Sequence, residues 1–162
     1  MAGFSAILEI IQVLALALIS AGTIVLGALV APILFKQLSK IEAGITMTAI
    51  FERFSQWLEV SALALFVSKL IEVFFVRGFN FKKDFFFINQ TQISSNFDAV
   101  YLLSILLIVA IFAVSLYISL EIMPKMINAY EDNEKEFQTL HKKSEKLMKI
   151  NALLAIFALI VS

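Results

Sequence analysis

The sequence predicts an all-α polytopic membrane protein, an antiparallel four-helix transmembrane bundle formed by one integral membrane domain over residues 1–162. Three observations carry this reading. Hydrophobic residues make up 60% of the chain and charged ones 16%, against about 25% charged in soluble domains. The apolar residues gather in four blocks. Three of those blocks reach the roughly 20 residues that a spanning helix needs.

The first helix is expected over about 8–35, where no lysine or arginine occurs before Lys36. A cleaved signal peptide would have a basic start and a shorter apolar core, so a retained helix is the better reading. The others are expected over about 54–77, 99–123 and 144–162, the last borrowing length from Ser144–Lys146. Pro124 is expected to kink or end the third helix, and Pro32 to open the first. The segment "KMINAYEDNEKEFQTLHKKS" looks helical, so the third helix is expected to run on beyond the membrane. In the longest loop, "GFNFKKDFFFINQTQISSNFD", Phe85–Ile88 are expected to touch the headgroups.

Charge sets the orientation. Lys36, Lys40 and Arg53 lie between blocks one and two, and Lys125, Lys135, Lys142, Lys143, Lys146 and Lys149 between three and four. Only Arg77, Lys82 and Lys83 lie between two and three. Nine against three places the loops 36–53 and 125–143 in the cytoplasm and both termini outside the cell membrane.

Thirteen basic and thirteen acidic residues balance, which leaves no field for nucleic acid. The absence of cysteine excludes disulfides and thiolate chemistry. The expected partners are the lipid bilayer and either a second copy of the chain or another membrane protein.

Each block carries a polar or small-residue stripe at helical spacing. On the first it is Glu9, Gln12, Leu16, Ser20, Thr23 and Gly27; on the third, Tyr101, Ser104, Ile108, Phe112, Ser115 and Ser119. On the fourth it is Phe137, His141, Ser144, Met148, Asn151, Ala155, Ala158 and Ser162. Such stripes let membrane helices approach closely. The second block holds Glu59, Lys69 and Glu72, and a lone charge at membrane depth costs at least about 2.5–3.5 kcal/mol. Lys69 and Glu72 stand three apart and can pair. Together with Glu9 they form an outer layer of intramembrane charge beside Gln12, Tyr101 and Ser104. Glu59 lies in an inner layer with Ser119, Glu121 and Asn151.

Four segments, "GALVAPILFKQL", "AGITMTAIFERF", "ISLEIMPKM" and "FQTLHKKSEKLMKINALL", resemble a family of small bacterial four-helix membrane proteins of unknown function, similar to eukaryotic transmembrane protein 205. The resemblance picks out Pro32, Phe35, Ala43, Gly44, Phe51, Pro124, Phe137, His141 and Ser144. It implies a membrane bundle without established chemistry.

These segments meet at the cytoplasmic ends of the helices, with Ala43–Gly44 expected to form a close turn. A polar inner vestibule of Pro32, Glu52, Glu59, Glu121, His141, Ser144 and Asn151 is the candidate site. The expected function is non-enzymatic handling of a small molecule or ion, with His141 as a proton-sensitive contact. The alternatives are an accessory subunit of a larger membrane complex and a haem protein with His141 as axial ligand. No metal site and no cofactor is otherwise expected.

Overall fold

Among the residues that the computed structural model describes, 2–76, 99–132 and 134–161, the chain forms four long helices. Helix α1 covers residues 2–37, α2 residues 40–76, α3 residues 99–132 and α4 Glu134–Val161. The Phe-rich loop, with Phe85–Ile88, lies outside the described residues.

The α1–α2 turn is two residues long. Leu38 is extended, and Ser39 caps α2. The Ser39 hydroxyl accepts from the Glu42 amide at 3.3 Å, and the Glu42 carboxylate accepts from the Ser39 amide at 3.1 Å. This capping box satisfies two backbone donors that a helix start leaves open. The Ser39 hydroxyl also donates to the Glu42 carboxylate at 2.8 Å, and this bond, with that from the Ser39 amide, holds the Glu42 carboxyl below its usual range. Helix α2 therefore begins well before residue 54, and Ala43 and Gly44 lie within it rather than at a turn.

Neither proline ends its helix. In α1 a π-helical turn over Leu26–Val30 precedes Pro32, and the Ala31 amide reaches back to the Leu26 carbonyl. In α3 a second π turn over Ile118–Ile122 precedes Pro124, and the Met123 amide reaches the Ile118 carbonyl. Proline clashes with the carbonyl four residues earlier. Widening the preceding turn by one residue absorbs that clash, and each helix runs on, to Gln37 and to Asp132. A third π turn, Glu72–Val76, forms the last described part of α2.

The helices form a ring in which α1 packs on α2 and α4, and α3 on α2 and α4. Cross-helix pairs fix the directions. Gln12 meets Glu72, and Gly22 meets Phe54, so α1 and α2 run antiparallel. Phe66 stacks on Phe112 at 4.5 Å while Ser119 bonds Glu59, so α2 and α3 do as well. Asn151 bonding Ser115 and Lys143 bonding Tyr117 give the same result for α3 and α4. One end of the ring holds the α1–α2 turn and the α3–α4 junction (the turn end). The other holds both chain termini (the terminal end).

The middle is apolar and tight: Leu16, Leu65, Ile108, Ile111, Ala155 and Ala158 are all buried. Outward, however, every helix is also apolar. Leu14 is 59% exposed, Leu63 50%, Leu106 66% and Leu153 56%. Gln12, Lys69, Glu72, Ser104, Ser144 and Asn151 are buried instead. Two helices, Gly3–Gln37 and Ala99–Ala129, are long and apolar enough to cross a membrane. Only 28% of the most apolar stretch of each is buried, whereas the core helix of a soluble protein would be mostly buried.

Candidate functional site

Most hydroxyls on the polar stripes are satisfied within their own helix. Ser20 donates to the Leu16 carbonyl and Thr23 to that of Ile19, both at 2.8 Å. Ser68 does the same to Leu65, and Ser104 to Tyr101. These residues let backbones come close without marking a site. The polar contacts that cross between helices are more informative.

At the terminal end they converge on Glu72. Its Oε2 accepts from Gln12 Nε2 at 2.9 Å and from Lys69 Nζ at 3.0 Å. The Lys69 ammonium also lies 4.2 Å from the centre of the Tyr101 ring, a cation–π contact. Gln12, Lys69, Glu72, Tyr101 and Ser104 are each more than nine-tenths buried. They border an open-sided cavity of about 330 Å³, also lined by Val13, Val100, Leu159 and Val161, with Glu9 exposed at its lip. All four helices contribute to this wall. A smaller apolar cavity of about 40 Å³ lies behind Lys69, between α2 and α3.

The turn end is arranged differently. Glu59 is half-buried and accepts from Ser119 Oγ at 2.6 Å. One helical turn along α3, Ser115 Oγ accepts from Asn151 Nδ2 at 2.8 Å. Asn151 is fully buried, and its Oδ1 has no hydrogen-bond partner among the described residues. Ser144 is buried as well. Pro32 and Glu52 are exposed, and Glu121 is exposed and paired with Lys125 on its own helix. His141 is half-buried. It sits edge-on to Phe51 at 5.6 Å between ring centres, and it stacks with Phe137 at 6.0 Å. Burial pushes the imidazole pKa down, and the Glu145 carboxylate pulls weakly the other way.

Of the vestibule residues, then, Ser119 and Ser115 draw Glu59 and Asn151 to adjacent turns of α3, and His141 joins two phenylalanines. Pro32, Glu52 and Glu121 face outward. The intramembrane charges Lys69 and Glu72 meet at a cavity with Glu9 beside it. Sequence reading overlooked the close seat of Phe54 on Gly22 and the Lys143–Tyr117 bond of 2.7 Å. Neither has a periodic signal, because each depends on how two helices are rotated against each other.

The fold and this site define an all-helical protein that leaves apolar side chains exposed along every helix while burying Gln12, Lys69, Glu72 and Asn151. The chain belongs to the family of the domain of unknown function DUF4149, whose family model matches residues 14–135. Three segments of the resemblance noted above, 27–38, 43–54 and 118–126, lie inside that match, and the fourth, 137–154, lies beyond it. No curated protein and no solved structure matches the chain.

Proposed function

We propose that this chain is a non-enzymatic integral membrane protein whose four helices all cross the bilayer. On this reading, the cavity at the terminal end takes up a small polar solute or ion. Support for the membrane reading comes from α2 and α4 as much as from the two most apolar helices. Trp57, Val60 and Leu63 stand exposed on α2, and Leu153, Phe157 and Ile160 on α4. Soluble monomers rarely expose contiguous apolar surface on this scale. The lysine-rich turn end faces the cytoplasm of the inner membrane, and both termini lie on the other side. Kinship with transmembrane protein 205 belongs to the same proposal, and it rests on the resemblance of the four quoted segments alone.

One observation carries the functional part: Gln12, Lys69 and Glu72, all buried, border open space with room for roughly ten waters. An ion pair that only fixed helix register would need no cavity beside it. From Ser104 to Ser115, about 16 Å along α3, the interior is filled by Leu16, Leu65, Ile108, Ile111 and the Phe66–Phe112 stack. The cavity is therefore a pocket reached from one side, not a continuous channel. Alternating access would require this apolar layer to part, and the π turns beside Pro32 and Pro124 are places where α1 and α3 can bend.

Flux from lipid vesicles tests the proposal, with protons, alkali cations and ammonium each placed under an imposed gradient. Wild-type protein should move at least one of them, and Glu72→Gln should abolish that movement. Wild-type rates equal to protein-free vesicles for all three would contradict it.

A further inference from the structure

We infer that the outward face of α4 is a binding stripe for an anionic phospholipid. The inference rests on the membrane reading above but not on the cavity. Lys142, Lys146, Lys149, Leu153, Phe157 and Ile160 follow one another in steps of three or four and therefore share one side of the helix. All six are exposed. Ser144, Met148, Asn151, Ala155 and Ala158 occupy the opposite, buried side.

The stripe changes character once along its length. Its first part, about 10 Å long, is basic, and the next roughly 16 Å is apolar. One phospholipid has the same order: an anionic headgroup, then an acyl chain. Lys149 is partnered by Glu145 at 2.6 Å, and Lys143, beside the stripe, donates to the Tyr117 hydroxyl. Lys142 and Lys146 make no ion pair among the described residues, and so two ammonium groups stand ready for phosphate oxygens. Tyr117, 41% exposed on α3, marks the headgroup level, where amphipathic rings settle.

Tryptophan quenching by brominated lipids separates this inference from its premise. Phe157→Trp and Leu14→Trp would each be made on a Trp57→Phe background, which removes the single native tryptophan. Each protein is then reconstituted in mixtures of brominated phosphatidylglycerol and phosphatidylcholine. At Phe157→Trp, phosphatidylglycerol should be preferred by at least about fivefold, since each lysine near the surface favours anionic lipid by about that factor. At Leu14→Trp, more than twenty residues from Lys36, the nearest basic residue along α1, the ratio should be near one. Adding Lys142→Gln and Lys146→Gln should bring the Phe157→Trp ratio down to the Leu14→Trp value. Equal ratios at both positions, or a preference that survives loss of the lysines, would overturn the inference while leaving the membrane reading intact. Absence of quenching at both positions by any brominated lipid would overturn both.

Discussion

Gly22 and Phe54 set how closely α1 and α2 approach: a β-carbon at position 22 would lie 2.6 Å from Phe54 Cε2, inside any real contact. The aromatic ring rests on the bare backbone of α1 in the half of the bundle nearer the turn. Gly22→Ala should therefore lower stability although alanine is the better helix former. Overpacking costs about 1–3 kcal/mol and the helix gain recovers only about 1. Thermal unfolding in detergent checks this. The midpoint should fall for Gly22→Ala and recover when Phe54→Leu is added. An unchanged or raised midpoint in the single variant would show that α1 and α2 do not meet this way.

The buried charges should behave as one unit. Lys69→Met takes an ammonium from a buried carboxylate, and Glu72→Gln takes the carboxylate from a buried ammonium. Breaking one side of such a pair costs about 3–5 kcal/mol, whereas replacing both sides by neutral groups is far milder. The double variant, Lys69→Met with Glu72→Gln, should unfold at a higher denaturant concentration than either single variant. Strict additivity of the two losses would mean that the groups do not interact.

His141 should make stability pH-dependent. Its folded pKa is pushed below the ordinary 6.5 by burial between Phe51 and Phe137. The neutral form is thus the one that suits the fold. Its contribution is fully present above about pH 6.5 and is lost as pH falls through the lowered folded value. Wild-type protein and His141→Phe should unfold at similar temperatures at pH 8. By pH 5 the wild type should lose more than the variant. Parallel curves over that range would remove His141 as the source of acid sensitivity.

Much of this architecture was legible in the order of residues, and the exceptions have physical causes. Four apolar blocks predicted four helices, because length and hydropathy are local properties. The apolar blocks from 54 and 144 bound expected membrane spans and not whole helices: α2 begins at 40 and α4 at 134, because polar turns extend both beyond their apolar stretches. The capping box Ser39–Glu42 was a readable signal for the first of these. The helical pattern after Pro124 predicts that the third helix runs on past that proline, as it does to Asp132, whereas the widened π turn before each proline has no sequence signal. Pairing of Lys69 with Glu72 was accessible from spacing alone. The outer polar layer of Glu9, Gln12, Lys69, Glu72, Tyr101 and Ser104 was accessible too; that open space lies beside this layer was not, since that depends on how four helix ends from distant parts of the chain come together.

The central claim is that all four helices face lipid, including α2 and α4, whose charge conceals them from hydropathy. Spin labels test it most directly, and the cysteine-free chain allows single-site attachment. Leu14→Cys, Leu63→Cys, Leu106→Cys and Leu153→Cys place one outward label on each helix near mid-bundle. In vesicles, all four labels should collide more often with dissolved oxygen, which partitions into the bilayer, than with a water-soluble nickel chelate. Labels on Leu63→Cys and Leu153→Cys that meet nickel more often than oxygen would contradict the account.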